Sequence, residues 1–386
     1  MLPPNPISPF LFFSLEFFPV PLSPALVTKY LKASLPLLLG ALTLTAQAAT
    51  NLHLQHVEFG RPIWCDSQCR VGVLFQDGGQ SAAVPGGALW CFGDTFFGDP
   101  PVGDAPLVSQ SRGAHWLTTA LLPADRTNLP PALVYSTNAA GLALQPIDLL
   151  PGEDPKHTRL WPDGLTQLGS RTYLYYSVIK TTDAPGPWNF HGIGGGLAVA
   201  TNSLGTFTRL QPGGAWKFPV EPAQVLAGGD WLYLFEISSA PKGLVLARVK
   251  AAEIENPSAY TFYNGTDWAT NRADASAILR PAYGQVSLVW VPAWNEYLLA
   301  TSSDFSHPHE IQFRTAPQPW GPWGKPAVRI TVPEMPGQET QVIYCTYLHP
   351  ELSQPEANRF TCTYCRTLIG QWQLSNPEWL TVTFDR

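Results

Sequence analysis

Beyond residue 50 the chain alternates between short blocks of bulky apolar residues and turns rich in Gly, Asp and Asn. Almost no stretch has the three-to-four-residue apolar spacing of an amphipathic helix. A four-residue block, mostly apolar and often aromatic, recurs five times: LWCF at 89–92, YLYY at 173–176, LYLF at 232–235, YLLA at 297–300 and FTCT at 360–363. Blocks of this kind read as strands on a pleated, buried surface. Their starts are 84, 59, 65 and 63 residues apart. A repeat of that length built from strands predicts a β-propeller, and five repeats predict five blades. A turn precedes each of the first four blocks (84–88, 168–171, 227–230 and 292–296), and a further strand precedes each turn. Each unit is thus a set of hairpins. Its first strand lines the central channel and its second returns antiparallel beside it. The expectation is an all-β chain: one five-bladed propeller of four-stranded antiparallel blades over residues 49–386.

In that frame acidic residues fall into line. Asp77 lies 12 residues before Leu89, Asp163 lies 10 before Tyr173, and Glu221 lies 11 before Leu232. The fourth and fifth units have no acid in this slot. Asp94 and Glu236 end the aromatic strands of units one and three, so they should return to the same mouth of the channel. Acids around a central pocket suit glycoside chemistry. One carboxylate attacks or activates water, while a protonated one serves the leaving oxygen. Crowding of like charges keeps one of them protonated. The competing reading is that acids at strand starts are turn residues. Asp94 could equally bond Thr95 or the backbone, and Glu236 could pair with an arginine. Arg112 could hold sugar hydroxyls or a carboxylate, or form a structural ion pair. Trp161, two residues before Asp163, is placed to act as an apolar platform for a sugar face. Trp320 and Trp323 are expected to pack between blades.

Other motifs point nowhere. HGIGGG at 191–196 lacks the helix that a dinucleotide fingerprint needs. His307 and His309 have strand-like spacing, but solvated loop histidines are the expectation, and no metal is assigned. There is no nucleophile elbow, phosphate loop or Asp-x-Asp-x-Asp calcium loop. No cofactor is expected, and a structural calcium is not indicated.

Composition narrows the setting. Only 13% of the 386 residues are charged, against 12% aromatic, with 14 Trp, 39 Pro and 32 Gly. The net charge of −6 and the absence of a basic run argue against nucleic acid. Lys29 and Lys32, an apolar core at Leu35–Leu44 and Ala46-Gln47-Ala48 read as a signal peptide over 27–48, cleaved after Ala48. Residues 1–26 read as an over-extended start, with an extended signal or anchor as the alternative. The expected setting is secreted or periplasmic, free of the membrane after cleavage, and monomeric. Six cysteines make disulfides plausible there, Cys65 with Cys69 and Cys345 with Cys362, with buried free thiols as the alternative.

The segment DGGQSAAVPGGALWCFGDTFFGD resembles the first blade of secreted five-bladed, sialidase-like or arabinanase-like propellers. These include families marked by an FGDT segment, some of them endo-D-arabinanases. RLWPDGLTQLGSRTYLYYS is similar to their second blade. The GPW segments at 186–188 and 321–323 resemble those that end furanosidase blades. YLHPELS with RFTCTYCR resembles the blade that closes the ring. The likeness covers most of residues 55–386. It implies Asp77 as base or nucleophile, Asp163 as the residue that tunes the acid and orients substrate, and Glu221 as general acid. The repeated Asp box and the arginine triad of sialidases are missing; Arg112, Arg280 and Arg314 are scattered. Sialic acid is therefore a poor fit. The resemblance implies hydrolysis of a furanose-containing or related polysaccharide, with a non-catalytic carbohydrate-binding propeller as the alternative.

Overall fold

The computed structural model describes residues 52–62, 71–98, 111–126, 128–184, 189–202, 204–282, 284–303, 309–334, 341–368 and 375–386. The leader-like segment, Cys65, Cys69, His307 and the first GPW lie outside these residues. The described chain is built from strands in five antiparallel sheets, joined by turns and short 3-10 segments. β1 (His53–Pro62) comes first in the chain but belongs to the last sheet.

Blade 1 holds β2 (Val73–Val84), β3 (Gly87–Gly98), β5 (Thr118–Pro123) and β6 (Val134–Tyr135), with β4 (Ser111–His115) paired to the end of β3. Blade 2 runs β7 (Thr158–Leu168), β8 (Arg171–Thr181), β9 (Phe190–Ala200) and β10 (Thr208–Arg209). Blade 3 runs β11 (Gln224–Gly228), β12 (Trp231–Ser239), β13 (Lys242–Lys250), β14 (Thr261–Tyr263) and β15 (Trp268–Ala269). Blade 4 runs β16 (Val286–Val291), β17 (Glu296–Ser302), β18 (Glu310–Ala316) and β19 (Val328–Thr331). Blade 5 runs β20 (Gln341–Leu348), β21 (Arg359–Leu368) and β22 (Asn376–Asp385), and β1 pairs with β22 to complete it. The two ends of the propeller thus meet in one blade, which closes the ring. Blades 1 and 3 carry five strands rather than the expected four. The extra strands are short pieces that no hydrophobic block announces.

The apolar clusters lie at the seams between blades. Leu89 and Cys91 of β3 pack toward blade 2 with Leu174 and Tyr176, whereas Trp90 and Phe92 face the other way, toward Trp379 of blade 5. Tyr173 and Tyr175 of β8 join the seam with blade 3. Leu299 packs against blade 3, and Leu298 and Ala300 against blade 5. A blade's second strand is buried on both faces, so both parities are apolar, as in any sheet covered on both sides. This explains the continuous blocks in the sequence. Trp323 is buried in the seam between blades 3 and 4, and Trp320 packs at its edge.

The first strands of successive blades follow one another around the axis, and polar side chains tie them together. Gln224 Nε2 donates to Leu288 O at 2.8 Å, and Gln224 Oε1 accepts from Leu288 N. Ser287 Oγ accepts from Leu348 N at 2.9 Å. At the seam between blades 5 and 1, His349 stacks on Trp90 with ring centroids 4.0 Å apart. Its Nδ1 meets Ser81 Oγ and its Nε2 meets Thr363 Oγ1, each at 2.8 Å.

The expected Cys345–Cys362 bridge is absent. Cys91, Cys345, Cys362 and Cys365 are all free and buried. β20 slips register between Tyr344 and Tyr347, and Cys345 sits in that slip with φ of 53°. The irregularity sends Cys345 toward Cys365, while Cys362 packs into the seam with blade 4.

Replacing His349 with Ala removes the stack and leaves the Ser81 and Thr363 hydroxyls without it. A loss of about 3 kcal/mol is expected in denaturant unfolding. A loss below about 1 kcal/mol would show that this seam closes without it.

Candidate active site

Two irregular strands aim the acids. β2 slips register between Gln76 and Gly78 and again between Gly78 and Gln80, which brackets Asp77. Gly78 and Gly79, at φ of 82° and 107°, make this bend possible. β7 slips between Pro162 and Leu165, which brackets Asp163. Both acids therefore sit within their strands, not at the strand entrances that the sequence spacing suggests. Bulges of this kind turn a side chain out of the normal alternation. Glu221 does precede its strand, β11.

A cavity of about 780 Å³ opens at this end of the ring. Asp77, Asp94 and Asp163 line it, with Trp116, Trp161 and Phe190 on one side and Gln285, Tyr344 and Tyr347 on the other. Lys156 and His157, at the lip, are held by Asp154 and Asp183. Glu221 and Glu236 do not line the cavity.

Asp77 and Asp94 form a pair within blade 1, Asp77 on β2 and Asp94 on β3. The Asp94 N–H donates to the Asp77 carboxylate. Tyr344 Oη lies 3.0 Å from Asp77 Oδ2 and 2.8 Å from Ser375 Oγ. Trp161 Nε1 donates to Asp94 Oδ1 at 2.8 Å. The pair is this close because residue 93 is glycine: a Cβ there would overlap Asp77 Oδ1. Burial pushes Asp77 up to about 6, partly offset by the Tyr344 bond. Burial, and then the charge of Asp77, push Asp94 up to about 8. Both shifts favour a proton on the pair near neutral pH, and Asp94, which also feels the charge of Asp77, is the partner pushed further. Thr95 plays no part in this: its hydroxyl donates to Gly93 O at 3.0 Å and meets Thr118 Oγ1 at 2.9 Å.

The other acids form a second group. Ser177 Oγ lies 2.7 Å from Asp163 Oδ2 and 3.0 Å from Glu221 Oε2. Burial holds Asp163 well above the usual carboxylate range, and the charges of Glu221 and Glu236 add to this. Behind them Arg272 Nη1 donates to Glu236 Oε2 at 2.7 Å, and Arg272 Nη2 bonds Glu236 Oε1. Glu236 Oε2 also accepts from Glu221 N at 3.3 Å. Glu236 is thus the arginine-paired residue of the competing reading, not a cavity residue.

Trp161 lines the cavity, with its indole N–H committed to Asp94. Arg112 belongs to β4, but its side chain lies outside the described residues. Several cavity residues escaped the sequence reading. Arg159, two residues before Trp161, stacks its guanidinium 3.8 Å from the Trp116 ring and lends positive charge to Asp94. Tyr344 and Tyr347 stand at the register slip of β20, and Gln285 Oε1 accepts from Cys345 N at 3.2 Å. Arg159 was legible beside WPDG; Tyr344 and Ser177 carry no motif.

Comparison with known proteins adds the following. Residues 67–372 match the family model described as Domain of unknown function (DUF4185). "Notoamide biosynthesis cluster protein J" of Aspergillus sp. (strain MF297-2) is 29% identical over 219 residues, which cover 52% of this chain and 55% of that protein. The chain thus spans about half the length of this curated relative. A Bacteroides ovatus ATCC 8483 structure, whose assignment as a hydrolase is itself provisional, overlaps with a TM-score of 0.60 at 16% identity. That overlap covers 82% of this chain and 87% of the other. CoXyl43, a family 43 β-xylosidase/α-arabinofuranosidase from a compost metagenome, overlaps with a TM-score of 0.47 at 14% identity, over 86% of this chain and 97% of its own. At 16% identity the likeness to the Bacteroides structure concerns the fold alone.

The weakened acidities of Asp77 and Asp94 give the folded protein more bound protons than the unfolded chain between about pH 4 and 8. Their contribution to stability is fully present below the ordinary carboxylate value and is lost as pH rises through about 6 and then 8. Asp94→Asn mimics the neutral acid and removes the share of this loss that belongs to Asp94. Its melting temperature should exceed that of the native protein by a margin that widens from pH 5 to pH 9, worth about 1 kcal/mol or more at the alkaline end. A margin independent of pH would refute the buried-pair description.

Proposed function

The chain belongs to the DUF4185 family, and from that premise we propose that it is a glycoside hydrolase acting on a furanose-containing or related polysaccharide. The observation that supports this most is the Asp77–Asp94 pair on the cavity floor. Two carboxyls whose surroundings push them to about 6 and about 8 supply one ionised and one protonated group at neutral pH. Asp77 is the ionised partner, which attacks the anomeric carbon or activates the attacking water. Asp94 is the protonated partner, which serves the leaving oxygen. Asp163 orients the sugar from blade 2. Trp161 and Phe190 offer apolar surface to a sugar ring. Glu221, the general acid that the family resemblance implies, stands behind Ser177, so a proton from it would reach the cavity only through Ser177 and Asp163.

The reading requires no metal or organic cofactor, and it suits a monomer working outside the cytoplasm, as the leader-like N-terminus expects. The position of Glu221 away from the cavity favours the second reading, a carbohydrate-binding propeller without catalysis.

The test is a product screen against arabinans, fructans, arabinogalactan, xylan and sialyl-oligosaccharides, alongside Asp77→Asn, Asp94→Asn and Asp163→Asn. Release of sugar from a furanose polymer is expected, with a loss of at least about a hundredfold in Asp77→Asn and Asp94→Asn. Sugar binding without release, unchanged in the variants, would establish the binding propeller instead.

A further inference from the structure

Ser177 sits between two carboxyls from different blades and cannot satisfy both with its own proton. A serine hydroxyl carries one hydrogen, and a carboxylate only accepts. Its Oγ nevertheless lies within hydrogen-bond distance of Asp163 Oδ2, at 2.7 Å, and of Glu221 Oε2, at 3.0 Å. If both carboxyls were ionised, one of these short contacts would set two electron-rich oxygens against each other with nothing between them. A second proton, on one of the carboxyls, lets both contacts be full hydrogen bonds.

The packing makes this arrangement a built one. Ser177 is buried on β8, where it pairs with Gly195 of β9. A Cβ at Gly195 would run into Glu221 Cγ and Val220 O, so only glycine there lets Glu221 approach Ser177. This is the use of the glycine run that matches no nucleotide motif. The charged and titratable groups around the two carboxyls are Glu236 and Arg272 of blade 3 and Tyr347 of blade 5. Arg272 acts on Glu221 and Glu236, and so favours negative charge on the blade 3 side. Of the two bridged carboxyls, only Asp163 lines the cavity.

We infer that Asp163 and Glu221 share a single proton through Ser177, with Asp163 protonated and uncharged at the cavity and the negative charge held behind it on Glu221. In this state Asp163 donates to Ser177 Oγ, and Ser177 donates to Glu221. The proton can move without leaving the group. The Asp163 O–H bond breaks as one forms on Ser177 Oγ, and the original hydroxyl proton passes to Glu221 Oε2. The net change is one proton transferred from Asp163 to Glu221. Negative charge is thereby brought to the cavity wall with no proton taken from solvent. The use of that charge, to meet the positive charge that develops on a sugar ring during cleavage, rests on the glycosidase reading; the shared proton itself does not. Ser177 is thus a positioning residue, acting through Asp163 and Glu221.

The test is an infrared pH titration of the full chain carrying ¹³C-labelled aspartate, which separates protonated Asp from protonated Glu. Beside the band of protonated Asp94, which Asp94→Asn identifies, the native protein should show at pH 7 a second protonated-Asp band that is absent in Asp163→Asn. Ser177→Ala removes both hydrogen bonds of the singly protonated state but only one from the doubly ionised state. The Asp163 band should therefore be lost at a pH lower by about one unit or more, and Ser177→Thr should restore it. If no Asp163 band is present at pH 7, or if the unlabelled glutamate carries the proton, the inference is overturned. An unchanged titration in Ser177→Ala would overturn it as well. If Ser177→Ala does not fold, the native and Asp163→Asn spectra and the Ser177→Thr titration decide the question. An Asp163 band in a protein that releases no sugar from any polymer would leave the shared proton standing and remove the glycosidase reading.

Discussion

A propeller blade has two apolar faces and can bury neither by itself. Each second strand here is apolar at both parities, so it is stable only between two neighbouring blades. Trp90 and Phe92 need blade 5, while Leu89 and Cys91 need blade 2. The requirement passes from blade to blade until the ring closes, where β1 completes blade 5 and His349 stacks on Trp90. Everything at the mouth of the channel depends on that closure. Asp77 and Asp163 come from different blades, and only the fixed seam between those blades holds them in one cavity.

The same packing sets the chemistry. A carboxyl held deep in a packed ring loses the water that would stabilise its charge. Crowding several of them compounds the cost, so the group retains protons that isolated acids would release at neutral pH. Bulges turn the aspartates out of the strand alternation, and glycines at 93 and 195 let other residues come within reach of them. The missing side chains are as much a part of the site as the acids.

The architecture was legible because its signal is repetitive. Five blocks at similar spacing follow from burial of each second strand on both faces. The common spacing of Asp77, Asp163 and Glu221 comes from the same repeat, but only the first two line the cavity. What lay hidden depends on local departures from the repeat. Strands as short as Trp268–Ala269 leave no hydrophobic block, so blade 3 gave no sign of a fifth strand. Pairing register, which no sequence spacing reveals, sets Cys362 against Leu348, and the slip in β20 leaves Cys345 beside Cys365. Spacing alone places Glu221 at the mouth. Its actual partner is Ser177 on the neighbouring blade, a contact permitted by the glycine at 195 that no spacing rule reveals.

The most direct measurement is a crystal structure of Asp77→Asn soaked with an arabinan or fructan oligosaccharide. The expected result is a sugar chain in the cavity, with a glycosidic oxygen within hydrogen-bond distance of Asp94 and the adjoining anomeric carbon facing residue 77. A sugar bound elsewhere on the propeller, or one that crosses the cavity with no glycosidic bond near these two positions, would contradict the assignment of this acidic floor as a glycoside-cleaving site.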